Sequence, residues 1–244
     1  MIKIKIISTT IISLFLASFS LAQQTLPAGA VIRVINCSIN DGYTFEEVRD
    51  RARALEQDEN APGIITMRRP IYTTAEFQQN WDMQLVAYYP SYAELMRRRV
   101  ARGNQGGRLP ISCGEALVNR AVNVHQGDGN PGDQTTMLTR YCNVAEGATR
   151  ANVFNRIKEI AESYAREGSD VLTQMYMPGL GGPLDNQWDF VIAQVGSYSE
   201  QVMERLDMGR EGFRATAGIG SNSPISSCTR PSLWSSANIH RGSQ

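Results

Sequence analysis

The segment Cys37-Ser-Ile-Asn-Asp-Gly42-Tyr-Thr44 recurs 105 residues later as Cys142-Asn-Val-Ala-Glu-Gly147-Ala-Thr149. Further recurrences in the same order are Trp81-Asp82 with Trp188-Asp189, Ser91-Tyr92 with Ser197-Tyr198, Cys113 with Cys228, and Asn123-Val124-His125 with Asn238-Ile239-His240. Self-similarity at one period indicates a repeated structural unit. The sequence of 244 residues therefore predicts two copies of one fold unit.

Residues 1–22 have the pattern of a secretory signal peptide. Lys3 and Lys5 precede an apolar run from Ile11 to Leu16, and the segment closes on small residues that end at Ala22. This is the layout that signal peptidase recognises. The alternative is a membrane anchor, but the apolar run is shorter than the roughly 20 residues that a spanning helix needs. We expect cleavage after Ala22 and a periplasmic or secreted protein without a membrane segment.

The four cysteines predict two disulfide bonds, because an exported chain folds in an oxidising compartment. Four cysteines allow three pairings. Each copy has one early and one late cysteine, so the repeat favours Cys37 with Cys113 and Cys142 with Cys228. A zinc site is the alternative, but no Cys-x-x-Cys spacing occurs.

Each copy predicts the element order β-α-β-β-α-β. A β-branched run opens the first copy at Val31–Ile35. Thr44 and Thr149 are placed to cap the first helices, and Ser91 and Ser197, each followed by a glutamate three residues later, are placed to cap the second helices. The predicted boundaries are 23–125 for the first copy, 126–136 for a linker rich in Gly, Asp and Pro, and 137–244 for the second copy.

This element order is that of the ferredoxin-like unit, which places both helices on one face of a four-stranded antiparallel sheet. The predicted class is α+β, with the bare faces of the two sheets packed together. The arrangement resembles the dimeric α/β-barrel superfamily, in which two ferredoxin-like units share a central barrel. Members include cofactor-independent oxygenases, haem proteins and isomerases, so the resemblance implies a fold and leaves the activity open.

The only histidines, His125 and His240, occupy equivalent positions near the ends of the two copies. Strand alternation puts them on the same face as Asn123 and Asn238, towards the barrel or its rim. A neutral imidazole there is a candidate general base or metal ligand. The alternative is a strand-end histidine that bonds to the backbone near solvent.

The remaining candidates belong to the repeated Trp-Asp pair. Asp82 and Asp189 are candidate catalytic carboxylates, although aspartates at the start of a strand also serve to satisfy turn backbone. Trp81 and Trp188, together with Asn123 and Asn238, are candidate ligand-binding residues. Core packing is the alternative for both tryptophans.

We therefore predict an exported, monomeric protein that binds a small molecule or a partner protein and has no recognisable catalytic apparatus. No cofactor and no metal are assigned. The alternatives are a cofactor-independent oxygenase or isomerase that uses the cavity between the sheets, or a haem protein that uses one histidine. The formal net charge of zero gives no reason to expect a nucleic acid partner.

Overall fold

The computed structural model describes residues 26–73, 77, 80–102, 109–128, 132–181, 188–213 and 223–242. The predicted signal peptide, residues 1–22, lies outside these ranges. Among the described residues, no helix combines the length and the apolar character that crossing a membrane requires.

The first repeat has the predicted order of elements. It comprises strand β1 at Ala30–Ile39, helix α1 at Phe45–Ala54, strand β2 at Ile64–Tyr72, strand β3 at Met83–Tyr89, helix α2 at Tyr92–Arg102 and strand β4 at Ile111–His125. The strands are antiparallel, and β1 lies between β3 and β4. This is the sheet of a ferredoxin-like unit.

The second repeat has the same order with a divided last strand. It comprises strand β5 at Gln134–Val144, helix α3 at Arg150–Arg166, strand β6 at Leu172–Leu180, strand β7 at Phe190–Val195, helix α4 at Gln201–Arg210, and strands β8 at Ile225–Cys228 and β9 at Ser232–Arg241. Strands β8 and β9 both pair with β5. Pro231, which has no N–H to donate to a strand partner, lies between them.

The two sheets join at both edges into one closed barrel. Strand β2 pairs with β9, and β4 pairs with β6, so the strand order is β7-β6-β4-β1-β3-β2-β9-β5 and the β5–β7 pair closes the ring. The predicted α+β fold with two packed antiparallel sheets is confirmed. The hydrogen bonds between repeats satisfy the strand edges that an isolated sheet would expose.

A barrel core fills the space between the sheets. Its buried members are Ile32, Ala121, Met137, Tyr176, Val191, Ala193, Val195 and Trp234. These residues come from strands of both repeats, and their neighbours along each strand face the helices instead. The barrel is therefore a shared hydrophobic core and not an open channel.

Both predicted disulfides are present. Cys37 bonds to Cys113, and Cys142 bonds to Cys228. In each repeat the two cysteines are directly opposite each other on paired strands, because the first and last strands run side by side in opposite directions.

The predicted helix caps are confirmed in three of four places. The Thr44 hydroxyl accepts the N–H of Glu47 at 3.2 Å, and the Thr149 and Ser91 hydroxyls accept the corresponding N–H groups of their helices. The prediction for Ser197 is wrong, since α4 begins only at Gln201. The Ser197 N–H donates instead to the side-chain oxygen of Gln201 at 2.7 Å, and its hydroxyl bonds to Asp128.

Candidate ligand-binding site

In the second repeat the two helices pack closely against each other. The guanidinium of Arg205 lies 3.9 Å from the centroid of the Tyr164 ring and donates to the carbonyl of Ser169 at 3.2 Å. Beneath α4, Leu138 of β5 is buried against Val202. Helix α3 is long enough, at 17 residues, to bring Tyr164 beside α4. Among the described residues of this repeat, these contacts fill the space between the helices and the sheet.

The first repeat instead has a cleft between α1, α2 and the outer face of its sheet. Helix α1 has only 10 residues and ends at Ala54, and residues 55–63 continue outside any helix. This segment contains Asp58, Asn60, Pro62 and Gly63, which have low helix propensity. The shorter helix leaves a cleft of about 640 Å³, which we call the first-repeat cleft. That volume is within the range of roughly 300–1,000 Å³ for small-molecule pockets.

Much of the wall of the first-repeat cleft is apolar. Its lining includes Ile35, Leu55, Ile65, Leu85, Leu109 and Ile111. These side chains come from the outer face of the sheet, from the segment after α1 and from the segment before β4. An apolar group of a ligand placed here would be removed from water.

Four arginines also line the first-repeat cleft, and two of them have partners. Arg98 bonds to the carboxylate of Glu94 and to the carbonyl of Ala61, and Arg102 lies 3.7 Å from a carboxylate oxygen of Asp58. These contacts hold the end of α2 against the segment after α1. Carboxylates of the protein therefore compensate the positive charges of Arg98 and Arg102.

Arg33 and Arg99 are the other two cationic residues of the cleft. The Nε of Arg33 is buried and has no hydrogen-bond partner. Burial, followed by the like charge of Arg99, lowers the pKa of Arg33 below its ordinary value. Among the described residues, no carboxylate forms an ion pair with either side chain. Arg33 and Arg99 therefore bring positive charge to the cleft that no ion pair among the described residues neutralises, although the carboxylate of Glu56 is also part of the lining.

Tyr89 is the polar neighbour of this charge. Its side chain lines the cleft and is buried, and burial raises the pKa of its phenol above the ordinary value. A neutral phenol donates a hydrogen bond and does not act as a counterion for Arg33.

The repeat could have identified Arg33 from the sequence. Arg33 pairs with Ala87 and Val118, and Leu138 pairs with the equivalent residues Gln194 and Leu233. Arg33 therefore occupies, in the open repeat, the position that a buried leucine occupies in the closed one. An arginine inside the β-branched run Val31–Ile35 was the signal, and sequence reasoning missed it.

The two predicted histidines lie in different surroundings. His125 bonds through Nε2 to the carboxylate of Asp170, a residue that the sequence did not single out. His240 pairs with Ile65 across the β2–β9 boundary, and burial together with Arg102 lowers its pKa. Neither histidine is among the residues that line the first-repeat cleft.

The predicted aspartates bond to backbone. An oxygen of Asp82 accepts the N–H of Ile39 at 2.8 Å, and an oxygen of Asp189 accepts the N–H of Val144 at 2.9 Å. Each aspartate thus closes the end of the first strand of its repeat. Their catalytic role stays a prediction, and the geometry accounts for their recurrence without it.

The predicted asparagines join separate parts of the chain. Asn123 accepts from the Gln174 amide at 2.7 Å, which links β4 to β6. Asn238 donates to the carbonyl of Gly132 at 2.8 Å and thereby fixes the end of the linker. Strand β5 begins at Gln134, inside the predicted linker 126–136.

The predicted tryptophans pack on neighbouring side chains and backbone. Trp81 covers Gly114, where an added Cβ would lie 2.6 Å from the indole. Trp188 packs against the barrel core and lies 5.1 Å from the Tyr141 ring, centroid to centroid. These contacts match the core-packing alternative, and ligand binding by either tryptophan stays a prediction.

The described residues do not contain a cluster of three or more His, Cys, Asp or Glu side chains of the kind that holds a metal ion. The described lining of the first-repeat cleft also has no histidine. The residues present therefore do not fit a haem held in this cleft by an imidazole ligand.

Comparison with known proteins supports the fold. Neither the scan of protein-family models nor the search of curated proteins gave a match. Among solved structures, a tryptophan mutant of chlorite dismutase from Candidatus Nitrospira defluvii matches with a TM-score of 0.52 and 12% identity, covering 86% of this chain and 92% of that chain. The same enzyme in complex with imidazole matches with a TM-score of 0.50 and 12% identity, covering 86% and 91%. The chain therefore shares, at the level of fold, the dimeric α/β barrel of the chlorite dismutase-like proteins.

Proposed function

We propose that this protein binds a small organic anion with an apolar body in the first-repeat cleft. The observation that carries the proposal is the Arg33 guanidinium, which lines a cleft of about 640 Å³ without a carboxylate partner among the described residues. A half-buried positive charge without a counterion is unfavourable in the empty protein. A ligand that supplies the negative charge removes this penalty.

The lining indicates which class of ligand the cleft accepts. A carboxylate accepts two parallel hydrogen bonds from one guanidinium, and Arg33 and Arg99 are the cleft arginines without an ion pair among the described residues. The apolar part of the wall, which includes Ile35 and Leu109, suits an alkyl or aromatic body. An amphipathic carboxylate matches both the arginines and the apolar wall of the cleft. A highly charged sugar phosphate matches only the arginines.

The proposal includes export to the periplasm or the extracellular space. Both disulfides support it, since such bonds persist in oxidising compartments. Fractionation of cells that produce the full chain, followed by mass determination of the mature N-terminus, tests both the compartment and cleavage after Ala22. Recovery of an uncleaved chain with free thiols from the cytoplasm would contradict this part.

Binding is tested with 1-anilinonaphthalene-8-sulfonate, a fluorescent aromatic anion, displaced by octanoate. Octanamide, which has the same body without the charge, is the control ligand. We expect displacement by octanoate and not by octanamide. Because a hydrogen bond to a charged group contributes about 1.5–3 kcal/mol, the Arg33→Leu variant is expected to weaken octanoate binding at least about tenfold.

Arg97→Gln is the matched control variant. Arg97 is next to Arg98 on α2 and bonds to Glu94, and it does not line the cleft. We expect this variant to bind octanoate like the wild type. Equal displacement by octanoate and octanamide, or unchanged octanoate binding in Arg33→Leu, would refute the proposal.

Haem binding through a histidine, one of the alternatives from the sequence, stays a prediction, since no histidine is among the described residues that line the first-repeat cleft. Titration with haemin tests it. A Soret band that shifts in the wild type and not in His240→Ala would favour haem over an organic anion.

Catalysis by a cofactor-independent oxygenase or isomerase, the other alternative, stays a prediction, and the structure gives His125 a carboxylate partner that could orient it as a base.

A further inference from the structure

A second uncompensated cation lies inside the barrel. Arg68 of β2 is 4% exposed, its guanidinium donates to the Tyr88 hydroxyl at 2.9 Å, and it lies close to the Tyr176 hydroxyl. Tyr176 belongs to β6, and β2 and β6 are not neighbours in the ring of strands. The Arg68 side chain therefore reaches across the barrel interior from one sheet to the other.

Tyr176 faces Arg68 from β6 without supplying a negative charge. The Tyr176 hydroxyl donates to the side-chain oxygen of Gln174 at 2.9 Å, and burial raises the pKa of Tyr176 well above its ordinary value. Burial also raises the pKa of Tyr141, the third phenol near Arg68. No carboxylate is among the buried residues that the structure describes. An arginine stays protonated in proteins, so the interior carries one positive charge.

Two donors beside this charge have no partner. The Nε of Arg68 and the hydroxyl of Thr66 are both buried without a hydrogen bond. Thr66 is 8% exposed and precedes Arg68 by two residues, so the two side chains extend from the same face of β2. Unsatisfied buried polar groups are rare in native proteins and point to a bound water or ion.

The second repeat shows how the same positions are satisfied without an ion. Pro70 and Pro178 occupy equivalent places in β2 and β6, so Gln174 and Tyr176 are the counterparts of Thr66 and Arg68. Tyr176 donates to Gln174, and Gln174 donates to Asn123 at 2.7 Å. These hydrogen bonds give both Gln174 and Tyr176 a partner, whereas the Thr66–Arg68 pair leaves two donors open.

We propose that a monovalent anion of halide size binds inside the barrel, where Arg68 Nε and the Thr66 hydroxyl donate hydrogen bonds to it. The size follows from the architecture, because side chains largely fill the interior of an eight-stranded barrel and leave room for at most one small ligand. The site is separate from the first-repeat cleft. Ile32 and Val34 of β1 face the barrel core, while Arg33 between them lines the cleft on the other face.

Urea unfolding in sodium chloride and in sodium gluconate of equal ionic strength tests the site. A ligand that binds only the folded state stabilises it in proportion to the logarithm of its concentration above Kd. Chloride is expected to raise the urea midpoint progressively, and gluconate, which is too large for the interior, is expected to leave it unchanged. An equal response to both salts would overturn the proposal.

Variants assign the chloride effect to the two side chains. Thr66→Val keeps the shape of the side chain and removes the hydroxyl, and Arg68→Met removes the charge. We expect both variants to lose the chloride dependence, while Arg33→Leu keeps it and Arg68→Met still binds octanoate. Undiminished chloride dependence in Thr66→Val, which is expected to fold whether or not Arg68→Met does, would overturn the site.

Two further measurements on the wild type test the proposed anion site directly. Crystals grown in sodium bromide are expected to show an anomalous peak inside the barrel beside Arg68, and a map without that peak would overturn the proposal. The ultraviolet band of tyrosinate is expected to be absent at neutral pH. Its presence would show that a phenolate balances Arg68 and would equally overturn it.

Discussion

The two repeats of this chain share a scaffold and differ in how they are closed. Each has the same strand order, an equivalent disulfide and an aspartate that closes the end of its first strand. In the second repeat a 17-residue helix and the Arg205–Tyr164 stack close the space above the sheet. In the first repeat a 10-residue helix leaves that space open.

The difference extends to single residues at equivalent positions. Leu138 in the second repeat corresponds to Arg33 in the first, and Tyr176, which donates to Gln174, corresponds to Arg68. Both replacements put positive charge where the counterpart repeat has a neutral side chain. The second repeat therefore retains the contacts expected of stable packing, while the first contains the unpaired charges on which the two proposed binding sites rest.

The disulfides test what the repeats have in common. Removing either bond, by Cys37→Ser with Cys113→Ser or by Cys142→Ser with Cys228→Ser, is expected to lower the free energy of unfolding by about 4.5 kcal/mol, since both bonds close long loops in the unfolded chain. Urea unfolding of the two double variants measures this. Losses that differ by more than about 2 kcal/mol would show that the repeats are not equivalent in this respect.

Leu138 and Arg33 test the difference in packing beneath the second helix. Leu138→Ala is expected to lower the free energy of unfolding by about 3 kcal/mol, because it leaves a cavity under α4. Arg33→Leu is expected to raise it by about 1 kcal/mol in the absence of ligand, because it replaces an unpaired charge by the apolar residue of the closed repeat. Urea unfolding measures both, and a destabilised Arg33→Leu variant would contradict the comparison.

Arg205 and Arg99 test the closure of the helices. Arg205→Ala is expected to lower the free energy of unfolding by about 2 kcal/mol, since it removes a desolvated cation–π contact and a hydrogen bond to Ser169. Arg99→Ala, at the equivalent place on α2, is expected to change it by less than about 0.5 kcal/mol. Similar losses in the two variants would mean that the first-repeat helices are held together in the same way.

His240 gives the smallest expected effect, a dependence of stability on pH. Its pKa is lowered in the folded state, by burial and then by Arg102, so the unfolded chain binds the proton more readily. Stability is therefore expected to fall as the pH decreases through the ordinary value of about 6.5. His240→Gln removes this contribution, and Arg102→Gln reduces it. Urea midpoints measured across this range in the three proteins check the sign, and an unchanged slope in His240→Gln would contradict it.

Several features of the fold were predictable because they depend on neighbours along the chain or on the repeat. The Thr44 cap requires only Glu47 three residues later, and the pairing of Cys37 with Cys113 follows from one early and one late cysteine in each copy. The Ser197 cap was predicted on the same local basis and was wrong. Asp128, which is distant in sequence, bonds to the Ser197 hydroxyl.

The candidate site was less predictable from patterns of residues. The histidines, aspartates and tryptophans were chosen as candidates because they recur in both copies. Residues that recur in both copies mainly maintain the fold that the copies share. Arg33 and Arg68 differ from their counterparts Leu138 and Tyr176, so a search for shared residues passes over them. A position-by-position comparison of the two copies would have found them once the strand register was known.

The sequence alone determined the duplication, the order of elements and the pairing of the cysteines, because each depends on spacing and on the chemistry of a few nearby residues. Only the tertiary structure decided which arginines lack a counterion. Electrostatic compensation depends on groups brought together from distant segments, such as Arg68 on β2 and Tyr176 on β6. The length of α1 is determined by the local sequence. The cleft exists because α2 and the sheet do not fill the space that α1 leaves by being shorter than α3.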